Sequence, residues 1–550
     1  MPLHFLPWVS WHSDALVFIG VFALAWAALF KLGVARKQHL VGFPTVTLPF
    51  IGFALVTATQ LLTGVMTFFG DALIIWFYMS LCLICLLTGF CACRESLTGK
   101  TPMSQPRLPV ILAWTIVAGG VLSTTIALVQ ATGAWEHSQW ILRMPTMRRP
   151  GGNMAQPNHL ATLLVMAIAS VVYLCESKYA SDDFSMSAVF FLCLGLAATE
   201  SRTGVLSFGL LLVWWISKRV KIFQRISLMW AGAMGCSFAL LFFLWPIFFN
   251  AFYVQMGEEN ARVRADGSRL EMWRQMLDAI SLRPWWGWGV REVSEAHNQV
   301  VDRYQTSWSF TYSHNFLIDL MTWVGIPVSV LFLVVAVIWV WRRVSATDEL
   351  LPWYCLAVAI PLAVHSQLEF PFAYAYFLAP VLLLLGCMEA SLGAKSIVYI
   401  SRRQGAAALL FISVLLVWSA IEYLEIEEDF RVVRFEVLRI GTTPSEHHRP
   451  RIVLLTQLGA LLDGARVVPQ RNMPLDQITL LGDVALHYPW RAPQYSYALA
   501  LALNGNPIEA SRQIQVMRRQ HGELFYADIK KEFEALGRSK YLELGNLNLP

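Results

Sequence analysis

Along most of this 550-residue chain, apolar runs alternate with short polar breaks. A helix needs about 20 apolar residues to cross a bilayer, and in lipid it satisfies its own backbone hydrogen bonds. The pattern predicts about twelve spans: 14–34, 46–69, 71–93, 108–131, 158–175, 184–200, 203–217, 225–250, 315–341, 351–369, 370–390 and 406–424. Two stretches break it. Residues 253–314 are polar and hold seven arginines but no lysine. After 424 the sequence is again polar, with Pro-bounded helical patterns. The expected fold class is an all-α polytopic membrane protein with one large loop and a C-terminal helical domain. The chain divides into transmembrane helices 1–250, the loop 251–314, transmembrane helices 315–424 and the helical domain 425–550.

Local signals refine both polar stretches. Ser268-Arg-Leu-Glu271 reads as a capping box opening an amphipathic helix, with Leu270, Trp273, Leu277 and Ile280 as its apolar stripe. Arg283-Pro284 ends it, and Trp285-Trp286-Gly287-Trp288-Gly289 follows as a turn suited to an interface or to stacking on sugar. In the last domain, 492–519 reads as a tetratricopeptide-like helical hairpin turned at Asn504-Gly505.

Composition agrees with a membrane protein. The chain is 56% hydrophobic and 14% charged, against about 25% charged in soluble domains. The net charge of +5 sits in loops; no basic stripe or motif suggests nucleic acid. Sixteen Lys and Arg fall in one set of loops: Lys31, Arg36, Lys37, Arg94, Lys100, Arg107, Lys178, Lys218, Arg219, Lys221, Arg225, Arg342, Arg343, Lys395, Arg402 and Arg403. The short loops of the other side carry four, Arg143, Arg148, Arg149 and Arg202. The positive-inside rule makes the first set cytoplasmic. The N-terminus, 132–157, 251–314, the 366–371 turn and everything after 424 then face outward. The N-terminal 14 residues lack the basic region of a cleavable signal peptide. All nine cysteines lie in apolar segments and read as small fillers; Cys82-x-x-Cys85 and Cys91-x-Cys93 have metal-like spacing but no histidine nearby.

The chemistry-bearing candidates cluster at outward ends of spans. Arg202, in Glu200-Ser-Arg-Thr-Gly204, sits on a tight hairpin where a guanidinium suits a phosphate or pairs with Glu200. Arg269 falls in the first turn of the expected loop helix, where free N–H groups favour an anion. His314-Asn315 stands where the loop meets the membrane, and histidine can take a proton from a hydroxyl; His297-Asn298 is the same dipeptide in a less constrained place. Asn153, Gln156, Asn158 and His159 lead into one span, and His365 and Glu369 interrupt another. They form either a sugar site or a packed polar seam. Gln60 and Gln130 are weaker cases of the same kind.

Taken in order, Gly152-Asn-Met-Ala-Gln-Pro-Asn-His-Leu-Ala161, Ser201-Arg-Thr-Gly, Arg269 with Arg283-Pro-Trp-Trp-Gly-Trp-Gly, Ser313-His-Asn-Phe-Leu and His365-Ser-Gln-Leu-Glu-Phe-Pro resemble bacterial O-oligosaccharyltransferases of the PglL type, within the O-antigen ligase superfamily. The resemblance covers roughly 14–520. It implies a multi-pass enzyme of the bacterial inner membrane, with its site and C-terminal domain in the periplasm. The implied donor is an undecaprenyl pyrophosphate-linked oligosaccharide among the membrane lipids. The implied acceptor is Ser or Thr of a protein such as a pilin. It implies no metal and no cofactor. His314 becomes the general base, and Arg202 and Arg269 the pyrophosphate ligands. Substrate contacts fall to Asn153, Gln156, Asn158, His159, Asn315, His365 and Glu369. Family members often have one more span at the start. The rival readings are an O-antigen ligase acting on lipid A–core, an O-antigen polymerase, a secondary transporter and a structural scaffold.

Overall fold

The computed structural model describes residues 10–34, 40–98, 106–132, 141–142, 149–154, 156–252, 260–438, 440–443, 447–547 and 549. The counted charges at Arg36, Lys37, Lys100, Arg143 and Arg148, and the loop's first residues 253–259, lie outside them, as do the side chains of Arg262 and Arg264. Each of the twelve predicted apolar segments contains a helix. Eight are long and apolar enough to cross a membrane: Ser13–Phe30, Thr45–Leu62, Phe69–Arg94, Arg107–Ala131, Pro157–Glu176, Leu228–Phe248, Phe316–Ala346 and Arg402–Val437. Leu350–His365 and Ala375–Ser391 are shorter apolar helices. Asp182–Ala198 has 17 residues, and Arg202–Ile222 carries four cations among its 21. The chain is a multi-pass membrane protein.

Two compact units share the chain. The first comprises 1–50, 80–259 and 335–410. Its core is helix Pro157–Glu176, in which every residue from Leu160 to Cys175 is buried except the partly buried Leu163. A helix apolar all round is stable only when fully surrounded; here Arg107–Ala131, Asp182–Ala198, Arg202–Ile222 and Leu350–His365 pack on it. Tyr173 stacks on Tyr354 within this core, ring centres 4.2 Å apart. A two-stranded antiparallel ribbon, Leu40–Pro44 with Ser396–Ser401, was not expected from the hydropathy pattern. It joins the ends of two helices, where period-2 patterning is too short to stand out.

The second unit comprises 51–79, 260–334 and 411–550. Arg402–Val437 does not stop at 424; it continues into polar sequence and crosses the expected domain boundary. Its buried Glu422 accepts from the amides of Val453, Leu454 and Leu455, fixing the chain as it enters the C-terminal helices. Those helices are Thr456–Arg466, Leu475–His487, Arg491–Leu503, Pro507–His521 and Glu523–Ser539. The expected hairpin is the third and fourth of them, turned at Asn504–Asn506, with Asn506 capping Glu509.

The loop helix is the main departure. It runs Asn260–Leu282, eight residues before the expected capping box. Ser268 and Arg269 are therefore inside it, where backbone N–H groups already bond to carbonyls one turn back. Arg269 thus lies beyond the first turn and has no free helix N–H groups beside it to favour an anion, contrary to expectation. The buried face is Met272, Gln275, Met276, Ala279 and Ile280, while Leu270 and Leu277 are exposed and Trp273 is half-buried. The predicted stripe is thus only half right, because the longer helix turns a neighbouring face inward.

Candidate active site

Unit two builds the histidine candidate on a strained turn. His314 has φ +57°, a left-handed conformation uncommon outside glycine. Three contacts hold it there. The buried carboxylate of Asp319 accepts from the Ser313 amide at 2.7 Å. The Trp273 indole N–H donates to the Ser313 carbonyl at 2.9 Å. Asn315 accepts from the amides of Leu317 and Ile318 through its side chain, capping the Phe316–Ala346 helix. Trp273 lies one turn after Arg269 on the same helix face, so the helix carrying Arg269 is hydrogen-bonded to the turn carrying His314. Asn315 is thereby a structural cap.

Below this turn the same helix breaks, and the break is fully accounted for. Gly325 has φ 76° and ψ 167°, and Pro327 has no N–H to offer the Trp323 carbonyl. Residues 284–290 and Gln60 supply the missing partners. Trp288 N donates to Thr322 O at 2.7 Å, and Gly289 N to Trp323 O at 3.2 Å. Ile326 N donates to Pro284 O at 2.8 Å. Gln60 Nε2 donates to Trp323 O at 2.7 Å, and its Oε1 accepts from Val290 N at 3.0 Å. A Cβ on Gly325 would lie 2.4 Å from the Trp285 carbonyl oxygen. The Trp-Trp-Gly-Trp-Gly run is therefore the other half of a broken span.

The C-terminal helices brace the loop. His297 is fully buried, bonded to Gln275 at 2.8 Å, Ser307 at 3.0 Å and Gln520 at 3.2 Å. Burial pushes its pKa down to about 3, so it is a neutral structural histidine. Asn298 bonds to Arg512 and Gln513. Arg291 faces Asp71 at 3.4 Å, and His487 faces both Asp71 (3.5 Å) and Glu292 (3.3 Å). Burial lowers the His487 pKa, but the Glu292 hydrogen bond and the Asp71 and Glu292 charges outweigh it, and the net direction is up.

Unit one holds the other candidates. Ser201 caps helix Arg202–Ile222, accepting from Gly204 N, and Glu200 takes φ +45° to make the turn. Arg202 is exposed at the first helical position and Glu200 is buried. Asn158 bonds Ser201 at 2.6 Å and Glu369 at 2.7 Å. Glu369 also accepts from Gln156 (2.5 Å) and His365 (3.1 Å). The carboxylate can only accept, so His365 Nε2 carries the proton and Nδ1 accepts from Thr162 at 2.8 Å. His159 bonds Tyr376 at 3.1 Å. Asn153 accepts from Leu142 N, and Gln130 bonds both Leu142 and Gly152. Gln156, Asn158, His365 and Glu369 thus bond to one another. They form a polar seam leading to the Ser201 cap beside Arg202.

Three families match in chain order: "Protein glycosylation ligase" over 150–175, "O-Antigen ligase" over 187–333, and "Virulence factor membrane-bound polymerase, C-terminal" over 353–533. The chain is thus similar to the O-antigen ligase and protein glycosylation ligase families. It is similar to two proteins of Acinetobacter baylyi. One is a general O-oligosaccharyltransferase, 26% identical over 94% of this chain and 90% of that protein. The other is a ComP-specific O-oligosaccharyltransferase, 27% identical over 62% of this chain and 60% of that protein. The chain is a glycosyltransferase. The O-antigen ligase match takes in Arg202, Arg269 and His314, and the protein glycosylation match takes in Asn153–His159.

Among the described residues, two groups have metal-like donor sets, His159/His365/Glu369 and Asp71/Glu292/His487, each with donor atoms within 4.8 Å of one another. In the first, Glu369 already accepts three hydrogen bonds and both His365 nitrogens are engaged. In the second, the Arg291 cation occupies the ground beside Asp71. Both read as internal networks. Sequence reasoning missed Arg149 as a site residue. Its guanidinium donates to Thr199 O at 2.8 Å and to Asn158 at 3.3 Å, bracing the hairpin that carries Arg202. The adjacent Arg148-Arg149-Pro150 run, ahead of the Asn153–His159 stretch, was the available signal.

Proposed function

We propose that this enzyme moves an oligosaccharide en bloc from undecaprenyl pyrophosphate to a Ser or Thr hydroxyl of a periplasmic or pilin protein. The acceptor oxygen attacks the anomeric carbon while His314 takes its proton. The glycosidic carbon–oxygen bond to pyrophosphate breaks and the configuration inverts. Arg269 and Arg202 neutralise the charge growing on the leaving pyrophosphate, the task a metal performs in other transferases. The reading is metal-independent and places twelve helices in the bacterial inner membrane. The loop and the tetratricopeptide-like domain face the periplasm.

The observation that carries this reading is the His314 turn: a histidine held in a left-handed conformation by Asp319 and by Trp273 of the helix that carries Arg269. Strain of this kind persists only where surrounding contacts impose it, and it concentrates at functional sites. The named relatives favour a protein acceptor, as does the protein glycosylation match at 150–175. The match at 187–333 supports a second reading, transfer to lipid A–core. Purified protein in liposomes with a lipid-linked oligosaccharide separates the two. Glycan on a pilin-like protein supports the proposal, glycan on lipid A–core supports the ligase, and transfer to neither removes both.

A further inference from the structure

The break at Gly325 also locates the loop's aromatic turn relative to the bilayer. From Ile326 to Trp341 the apolar part of the helix has 16 residues, about 24 Å at 1.5 Å per residue, which is within about one turn of a hydrocarbon core of about 30 Å when Arg342 and Arg343 reach back to the headgroups. The segment before the break is then interfacial. The residues lodged in the break are those of the 284–290 turn, through backbone bonds from Pro284, Trp288 and Gly289. The side chains of Trp285 and Trp286 point away from this packing and are 69% and 78% exposed. Leu282 beside them is exposed too, as are Ile326, Val330 and Leu331 on the helix just past the break. The turn's apolar surface is therefore continuous with a lipid-facing helix surface. Indole rings are enriched at the level of lipid headgroups, where the ring is half in acyl chain and the N–H is wet.

We infer that Trp285 and Trp286 insert into the bilayer interface, making residues 282–286 a membrane-anchored tip of the loop whose partner is the lipid surface itself. The Gly325 break is the socket that sets the depth of this tip: a straight helix would leave the 284–290 backbone without its partners. The inference assumes nothing about the transfer reaction.

The test is a depth measurement on the full chain in liposomes of phosphatidylethanolamine and phosphatidylglycerol. Trp286→Cys carries a nitroxide label, in a background of Cys91→Ser and Cys236→Ser, the two native thiols that are not buried. Collisions of the label with oxygen should exceed those with a water-soluble nickel chelate several-fold. A label at Ile508→Cys, highly exposed on a C-terminal helix, should show the reverse. Nickel collisions dominating at position 286 would overturn the inference, and would leave the tryptophans to an aqueous ligand such as a glycan or an acceptor protein. Trp285→Cys gives a second reading if the first variant does not fold.

Discussion

Replacing Asp319 with alanine isolates the turn that presents His314. Asp319 is fully buried, and its carboxylate accepts from the Ser313 amide at 2.7 Å, with Ser313 itself fully buried. Removing the acceptor strands that N–H, at a cost of about 1–3 kcal/mol. The left-handed backbone of His314 carries a further penalty of roughly 1–2 kcal/mol that only its surroundings offset. The turn should therefore relax, and a loss near 2 kcal/mol corresponds to an approximately 30-fold drop in the competent population. In a liposome assay with lipid-linked oligosaccharide and a pilin-like acceptor, kcat should fall by about that factor while KM for the donor changes little. Asp319→Asn keeps a neutral acceptor oxygen and should recover most of the rate. Trp273→Phe, which removes the indole donor to the Ser313 carbonyl, should fall between the two. A kcat within twofold of wild type for folded Asp319→Ala would refute the idea that this contact holds the catalytic turn.

Three other outcomes follow from the packing. Gly325→Ala should lower stability by roughly 3 kcal/mol or more, since the residue sits at φ 76° and the added Cβ would meet the Trp285 carbonyl; a thermal midpoint equal to wild type in lipid would contradict this. Glu369→Leu should cost about 3–5 kcal/mol by orphaning Gln156, Asn158 and His365 together, and transfer should fall through the loosened Ser201–Arg202 hairpin; unchanged stability would mean the seam is not a single network. Hydrogen-exchange protection of Leu475–His487 and Val293–Asn298 should hold a broad maximum between about pH 4.5 and 6.5, where the opposed changes at His297 and Glu295 offset each other, and should fall on either side. On the acid side His297, held down to about 3 by burial, loses its contribution as pH falls below its ordinary value. On the alkaline side the contribution of Glu295, raised to about 7 by burial and the Glu292 charge, is lost as pH climbs through 7, and that of His487 as pH passes its raised value. Flat protection across pH 4–9 would show that this buried network does not govern docking of the C-terminal helices.

Much of the fold was legible because lipid leaves a chain few options. Each long apolar run had to be a helix, and each is. What hydropathy did not convey was how polar groups inside those helices find partners. Gln60 stood out as an oddity in a span, yet its partners, Trp323 and Val290, lie more than 200 residues away. The kink at Gly325-Ile-Pro327 and the glycines of Trp-Trp-Gly-Trp-Gly were both visible; that each completes the other was not, because the pairing is long-range. The helix start at Asn260 was missed because polar, Arg-rich sequence has no apolar period to extend. For the candidate site, His314 and Arg202 were picked out by position and resemblance. The bonds that hold them, from Asp319, Trp273, Asn158 and Arg149, come from side chains whose types alone mark nothing. The same geometry separates the two His-Asn dipeptides: His297 is consumed by Gln275, Ser307 and Gln520, whereas His314 is half-buried on a strained turn.

The central claim is that His314 is the base for glycan transfer to a protein hydroxyl. Its most direct test is single-turnover transfer by purified His314→Ala and wild-type protein, each in liposomes loaded with the same lipid-linked oligosaccharide and offered the same pilin-like acceptor across a pH series. General-base assistance contributes on the order of 10²–10⁴-fold, so the variant should lose at least that much rate and the acidic limb of the pH profile, while still binding donor. A folded His314→Ala enzyme that transfers glycan at the wild-type rate, with the wild-type pH profile, would contradict the account.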